Sequence, residues 1–123
     1  MFLFRYYDKK NGIDRAWYQS SNILYSECDD VKDDFKILTV VFKNGATYKY
    51  YDVDVNDYVM FLHGGLDGSN GKALNKYIKQ KCQRYERVED RDTLDVMSSM
   101  NHYKKIAKEE KEKNEAESEK ENN

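Results

Sequence analysis

Strand-like apolar and aromatic runs broken by turn residues fill most of residues 1–53, with alternation at 38–42 and 48–50, and helical spacing dominates beyond them. "MFLFRYYDKKNGIDRAWYQ" places two aromatic-rich runs around Asn11-Gly12 and reads as a β-hairpin. "SSNILYSECDD" reads as a strand running out into an acidic turn. Residues 36–53 form a second hairpin, with Leu38, Val40 and Phe42 alternating on one strand and Tyr48 and Tyr50 on the other. A short helix, a glycine-rich loop, a second helix and a strand near "RYERV" follow. The last element starts in "DRDTLDVMSSM", where Asp92 is an N-cap and Asp95 takes the place of the Glu of a capping box. Leu94, Met97, Met100, Tyr103 and Ala107 then recur at helical spacing. Beyond Ala107 only Glu/Lys pairs support a helix, so fraying is expected there. The first turns are expected to dock and the rest to be a solvated tail; the alternative is a helix that pairs with a partner.

The second hairpin poses the question that matters most. Tyr48, Tyr50 and Tyr51 follow the turn closely, and they either pack into a core or display rings to a ligand. A two-residue turn at Asn44-Gly45 would put Tyr48 and Tyr50 on the opposite side from Leu38 and Val40. A three-residue loop, Lys43-Asn44-Gly45, with Gly45 in the left-handed conformation, pairs Phe42 with Ala46, Val40 with Tyr48 and Leu38 with Tyr50. Since a slip of one residue exchanges the faces of a strand, the register that collects five large side chains on one face is the expected one. Tyr48 and Tyr50 then belong mostly to the core, with their hydroxyls at its edge. Thr47, Lys49 and Tyr51 face the other way with Ile37, Thr39 and Val41, and Tyr51 beside Lys49 is the candidate for stacking on a base. The competing expectation is that the N-terminal hairpin covers this second face.

"LHGGLDGSNGKALNKYIKQK" holds four of the six glycines. Asp54 or Asn56 can cap the helix before it, with Tyr58, Val59 and Leu62 as its buried stripe and Gly64 at C′. Ser69 or Asn70 caps the next helix and sets free backbone N–H groups, with Gly71 and Lys72, at its start, an arrangement that can hold a phosphate. A Walker A loop is excluded, because Leu66 stands where its first glycine belongs and Ala73 follows Lys72. Leu74, Tyr77 and Ile78 share one helix face, and Lys72, Lys76 and Lys79 lie opposite.

Charge narrows the picture. The chain of 123 residues carries a net −2, one unit from residues 1–103 and one from the Glu/Lys tail. Phosphate binding must therefore come from a local patch, and residues 72–87 supply one, with six bases against Glu86. Residues 27–34 are the acidic counterweight. Cys28 and Cys82 lack any metal-ligand or disulfide spacing and fit a reducing cytosol. "MFLF" is too short for a signal segment, and no apolar run approaches a membrane span, so a cytoplasmic chain without membrane contact is expected.

The combination of "SSNI" at 20–23, "LTVVFKNGATYKYYDV" at 38–53, "GSNGKALNKYI" at 68–78 and "YERV" at 85–88 resembles the KTSC family. These are short domains that occur alone in bacterial and phage-type proteins and at the C-terminus of some lysyl-tRNA synthetases. The centre of the resemblance is Tyr48-Lys49-Tyr50 with Ser69, Gly71 and Lys72. The chain departs from the pattern in having no proline after Val53, Ala73 and Leu74 where aromatics are common, and Cys28 where tyrosine is typical. The resemblance implies a small α+β domain and an RNA-binding role. It also suggests a likeness to phage accessory proteins that engage host components.

The architecture expected is therefore α+β: a small antiparallel sheet of hairpins with two short helices and an amphipathic-to-charged helical tail. Residues 1–19 would be a hairpin extension, 20–90 the KTSC-like domain and 91–123 the tail. His63 reads as a helix end cap, His102 lies in the solvated helix, and no base is placed beside Cys82. The acids of 27–34 lack the spacing of an EF-hand. A non-enzymatic module without cofactor or metal is expected. The first functional reading is binding of RNA or another phosphate-bearing ligand through Ser69, Asn70, Gly71, Lys72, Lys76, Lys79, Arg84 and Arg87, with Tyr51 and Lys49 for stacking. The second is a host-protein partner engaged by the N-terminal aromatics or by residues 92–107.

Overall fold

The computed structural model describes residues 2–29 and 35–121. Six strands follow one another across a single antiparallel sheet: β1 (Phe2–Asp8), β2 (Ile13–Tyr18), β3 (Ile23–Asp29), β4 (Phe35–Phe42), β5 (Thr47–Asp54) and β6 (Tyr85–Val88). Between β5 and β6 the chain forms α1 (Val55–Leu62), α2 (Asn70–Ala73) and a π-helical segment, Leu74–Lys79; α3 (Thr93–Glu121) closes the fold. This is the α+β class the alternation predicts. Of the acidic stretch, residues 30–34 lie outside the described residues.

The hairpin of β4 and β5 reverses as the wider loop requires. Gly45 has φ +91°, its N–H donates to the Phe42 carbonyl at 2.9 Å, and the Phe42 N–H donates to the Ala46 carbonyl at 2.9 Å. Val40 accordingly faces Tyr48, and Leu38 faces Tyr50. Glycine is needed here twice over, for the left-handed backbone and because a Cβ would stand 2.8 Å from the Arg91 carbonyl oxygen.

The two faces of the sheet have separate cores. On one, Ala16, Leu38, Val40 and Tyr50 are buried beneath Tyr58, Phe61 and Leu62 of α1 and Leu74 and Ile78 of the π segment. On the other, Trp17, Tyr25 and Val41 are buried under Val96 and Met100 of α3. Each fully buried large side chain contributes about 1.5–3 kcal/mol.

Several expectations change. The N-terminal hairpin does not cover the second face: β1 and β2 extend the sheet edge beside β3, and α3 is the cover. The hairpin's backbone hydrogen bonds are completed by β3, which a layer stacked above the sheet would leave unmade. Val59 is 45% exposed and Phe61 takes its place in the α1 stripe, since Tyr58, Phe61 and Leu62 form the i, i+3, i+4 set. In α3 Leu94 points out and Val96 points in, putting the seam on Val96, Met100 and Tyr103. The helix continues to Glu121 with its sides exposed from Lys108 to Ala116; the Tyr6 hydroxyl donates to Glu110 at 2.9 Å, one turn past Ala107. No described helix is long and apolar enough to cross a membrane.

Candidate functional site

β6 pairs with β5 so that Tyr85 stands opposite Tyr50 and Arg87 opposite Tyr48. Opposite residues of an antiparallel pair share a face, so three tyrosines and an arginine rise together on the side of α1. The helical layer stops short of them. Its last residue, Lys79, ends the π segment, whose wider turn carries the ammonium to 5.5 Å from the Phe42 ring. What remains is an open cleft of about 310 Å³ lined by Tyr48, Tyr50, Lys79 and Tyr85.

The rings are layered. Tyr48 and Tyr50 lie 6.4 Å apart at 25°, and Tyr50 and Tyr85 lie 6.1 Å apart at 30°. Tyr50 is buried at the base, Tyr48 is half-buried, and Tyr85 is 62% exposed at the rim. Burial, and then the neighbouring Tyr48, push the Tyr50 hydroxyl up to about 12, so it stays protonated at neutral pH. The Arg87 guanidinium sits 6.0 Å from the Tyr48 ring and pairs with Asp90 at 3.2 Å, a contact that holds its pKa above the usual value. Both members of that pair are more than half exposed, which makes it weak and exchangeable.

Beyond the Tyr48 ring lies a second groove of about 460 Å³, lined among others by Ser21, Asn22, Phe42, Lys43, Asn44 and Arg87. The Lys43 N–H donates to the Asn22 carbonyl at 2.8 Å, which ties the segment before β3 to the turn after β4. Gly71 of α2 stands behind it, its Cβ position 3.8 Å from the Asn22 amide nitrogen. Four sequence pieces far apart along the chain, those around Asn22, Tyr48, Gly71 and Tyr85, thus meet at one end of the sheet.

The sheet divides the residues proposed from sequence. Lys79 lines the cleft, and Arg87 lines the adjoining groove, 6.0 Å from the Tyr48 ring. Tyr51, Lys49 and Arg84 lie across the sheet from it, where the Tyr51 hydroxyl donates to Glu86 at 2.5 Å and Arg84 lies 4.2 Å over its ring. The register of β4 and β5 slips by one residue between Lys36 and Leu38, at Tyr51-Asp52, and Asp52 takes φ 56°. One face of the Tyr51 ring is therefore occupied by Arg84, and the rings that stand open are those of the tyrosine cleft.

Ser69 caps α2, its hydroxyl accepting from the Lys72 N–H at 3.3 Å. The Asn70 side chain turns inward. It is 2% exposed, and its amide donates to the Phe61 and Leu62 carbonyls at 2.9 and 3.2 Å, satisfying the C-terminal end of α1 rather than facing a ligand. The glycine-rich loop folds on itself, so that a Cβ on Gly64 would meet Gly68 at 2.7 Å. Lys72 and Lys76 are exposed, and Lys76 leans over Tyr77 at 5.3 Å, away from Lys79's position over Phe42. His63 is the C-cap of α1, and the Cys82 thiol lies 2.9 Å from the Arg84 carbonyl oxygen. Sequence reasoning did not place Tyr85, Asn22 and Lys43 at this candidate site. The alternation Tyr85-Glu86-Arg87 was a usable signal, but the partner and register of β6 were not legible.

Among known proteins, no curated protein and no solved structure matches this chain. A family model described as the KTSC domain does match, over residues 32–85. That span runs from the approach to β4 through Tyr85, so it contains Phe42, Tyr48, Tyr50 and Lys79, while Asn22 and Arg87 flank it. Residues 32–85 thus match the KTSC domain, and the tyrosine cleft is built largely inside that span.

Proposed function

We propose that the protein binds single-stranded nucleic acid, taking a base against the rings of Tyr48, Tyr50 and Tyr85 and neutralising the adjoining backbone with Lys79 and Arg87. The observation that carries this reading is the cleft itself, where layered aromatic rings with cations at their edges stand open to solvent. Rings accept any base face, at about 1–3 kcal/mol per stacked base, while lysine and arginine supply phosphate contacts that weaken with salt. The surface is local, in keeping with a chain whose net charge is −2. No step of chemistry is needed; the module holds a strand.

In the segments that the host-protein reading names, Trp17, Val96 and Met100 are buried and Phe4 and Tyr6 pack into the same cluster, while Leu3, Tyr7 and Leu94 are exposed. Fluorescence anisotropy with labelled single-stranded RNA and DNA at rising salt tests the proposal. Binding should weaken steeply with salt and fall about tenfold in Lys79→Glu and in Tyr85→Ala. Absent or salt-insensitive binding would sink it.

A further inference from the structure

The two cavities share one wall, and that sharing sets a footprint. Resting on the nucleic-acid reading above, we infer that the recognised unit is a dinucleotide. One base stacks in the tyrosine cleft, the linking phosphate sits on Arg87, and the second base enters the groove beyond Tyr48, where Asn22 contacts its edge.

Three observations lead there. First, the cavities differ in chemistry. The cleft is walled by tyrosine rings, whereas the groove adds the amides of Asn22 and Asn44 and the hydroxyl of Ser21. Stacking tolerates every base, but amides donate and accept at base edges and so discriminate among them. Second, Arg87 lies at the junction, lining the groove and standing 6.0 Å from the ring that separates it from the cleft. A phosphate joining two bases, one on either side of Tyr48, falls at that guanidinium. Its present partner, Asp90, is an exposed carboxylate held at 3.2 and 3.3 Å, which a phosphate oxygen can replace at little cost. Third, the two amides of the groove are not equivalent. Asn44 is committed to its turn, its side-chain oxygen accepting from the Ala46 N–H at 3.0 Å. Asn22 is anchored through its backbone, while its side-chain amide makes no hydrogen bond to another described residue. It is exposed at the groove, so a base edge can use both its donor and its acceptor.

Calorimetric titration of the full chain with ribonucleoside 5′-monophosphates, then with di- and trinucleotides of the same bases, tests the footprint. Dinucleotides should bind about tenfold more tightly than monophosphates, and a third nucleotide should add no more than about twofold. Asn22→Ala should remove most of the dinucleotide gain. Asp90→Asn should tighten dinucleotides several-fold at low salt by freeing Arg87. Equal affinity for one and two nucleotides, or an equal gain from every added nucleotide, would overturn the two-base unit while leaving strand binding intact. A dinucleotide gain untouched by Asn22→Ala would overturn the assignment of that residue. Failure of every oligonucleotide, in a protein whose circular dichroism is native, would instead bring down the strand-binding reading itself.

Discussion

Two aromatic clusters occupy opposite sides of this sheet, and they are built from nearly the same parts. Under α3, Trp17 packs against Phe4, Tyr25 and Tyr103 at 4.8–5.9 Å between ring centroids, with Arg15 placed 4.8 Å over Tyr103. At the other end, Tyr48, Tyr50 and Tyr85 are layered with Arg87 and Lys79 beside them. What separates the two is closure. In the first, the Trp17 N–H donates to the Val96 carbonyl at 2.9 Å, the Tyr25 hydroxyl donates to Glu27 at 2.9 Å, and Arg15 is held by Tyr25, Glu27 and Asp8. Most of its polar groups have protein partners, the buried Nε of Arg15 being the exception among the described residues. In the second, the helical layer ends before the rings do, and the cations meet solvent. Aromatic richness with basic neighbours is therefore compatible with a core or with a binding surface, and the presence of a lid distinguishes them.

The sharpest way to break this comparison is to exchange the consequences of a ring deletion. Trp17→Ala should cost about 3–5 kcal/mol in urea unfolding, because the cavity under α3 cannot collapse, and should leave ligand affinity intact wherever the protein stays folded. A comparable loss of affinity in that folded variant would show that the sealed cluster is not merely structural.

The charged lid contacts come next. Arg91 meets Glu27 at 2.6 and 3.1 Å, tying the segment before α3 to β3. Burial works against ionisation of Glu27, but the Arg91 and Arg15 contacts outweigh it and hold its carboxyl below the usual value. For Asp8 the Asn11 amide is the main cause of the same direction of shift. A carboxylate whose folded-state pKa is lowered stabilises the fold above its unfolded pKa, near 4, and that contribution disappears as pH falls through the folded value. Glu27→Gln should therefore cost about 2–3 kcal/mol at neutral pH, and the deficit should shrink as the pH of the unfolding titration is lowered toward 3. A deficit independent of pH would exclude the ion pairs as its origin.

Gly45→Ala sits between the clusters, at the turn that touches the Arg91 carbonyl, and should cost about 1–3 kcal/mol by thermal unfolding through its φ of +91° and the 2.8 Å approach. The smallest stability effect belongs to the open cluster. Tyr85→Ala, at a ring 62% exposed, should change unfolding by only about 0.5 kcal/mol while weakening nucleic-acid binding about tenfold. Stability lost at Tyr85 on the scale of Trp17 would erase the distinction.

Much of this was legible from the chain alone, for reasons that are local. Period-two alternation marks β4 and β5, glycine after Asn44 permits the wider turn, and only one register gathers Leu38, Val40, Tyr48 and Tyr50 on one side. Caps at Asp54, Ser69 and Asp92 follow from side-chain oxygens placed to accept from N–H groups two or three residues on. The meeting of distant pieces was not legible. Whether Val59 or Phe61 turned inward, and whether Leu94 or Val96 did, depended on where each helix landed on the sheet, which single-helix spacing leaves open.

Sequence by itself determined the elements, the turn and the inward aim of Tyr50, because these rest on hydrogen bonds and sterics between residues close along the chain. Only the tertiary structure decided that Tyr85 and Arg87 stand opposite Tyr50 and Tyr48, that Tyr51 is committed to Arg84 and Glu86, and that Asn70 turns into the interior. A strand's partner, a bulge and the reach of a covering layer depend on contacts between residues tens of positions apart. An open cleft is the place where such a cover stops, and no local pattern records where that is.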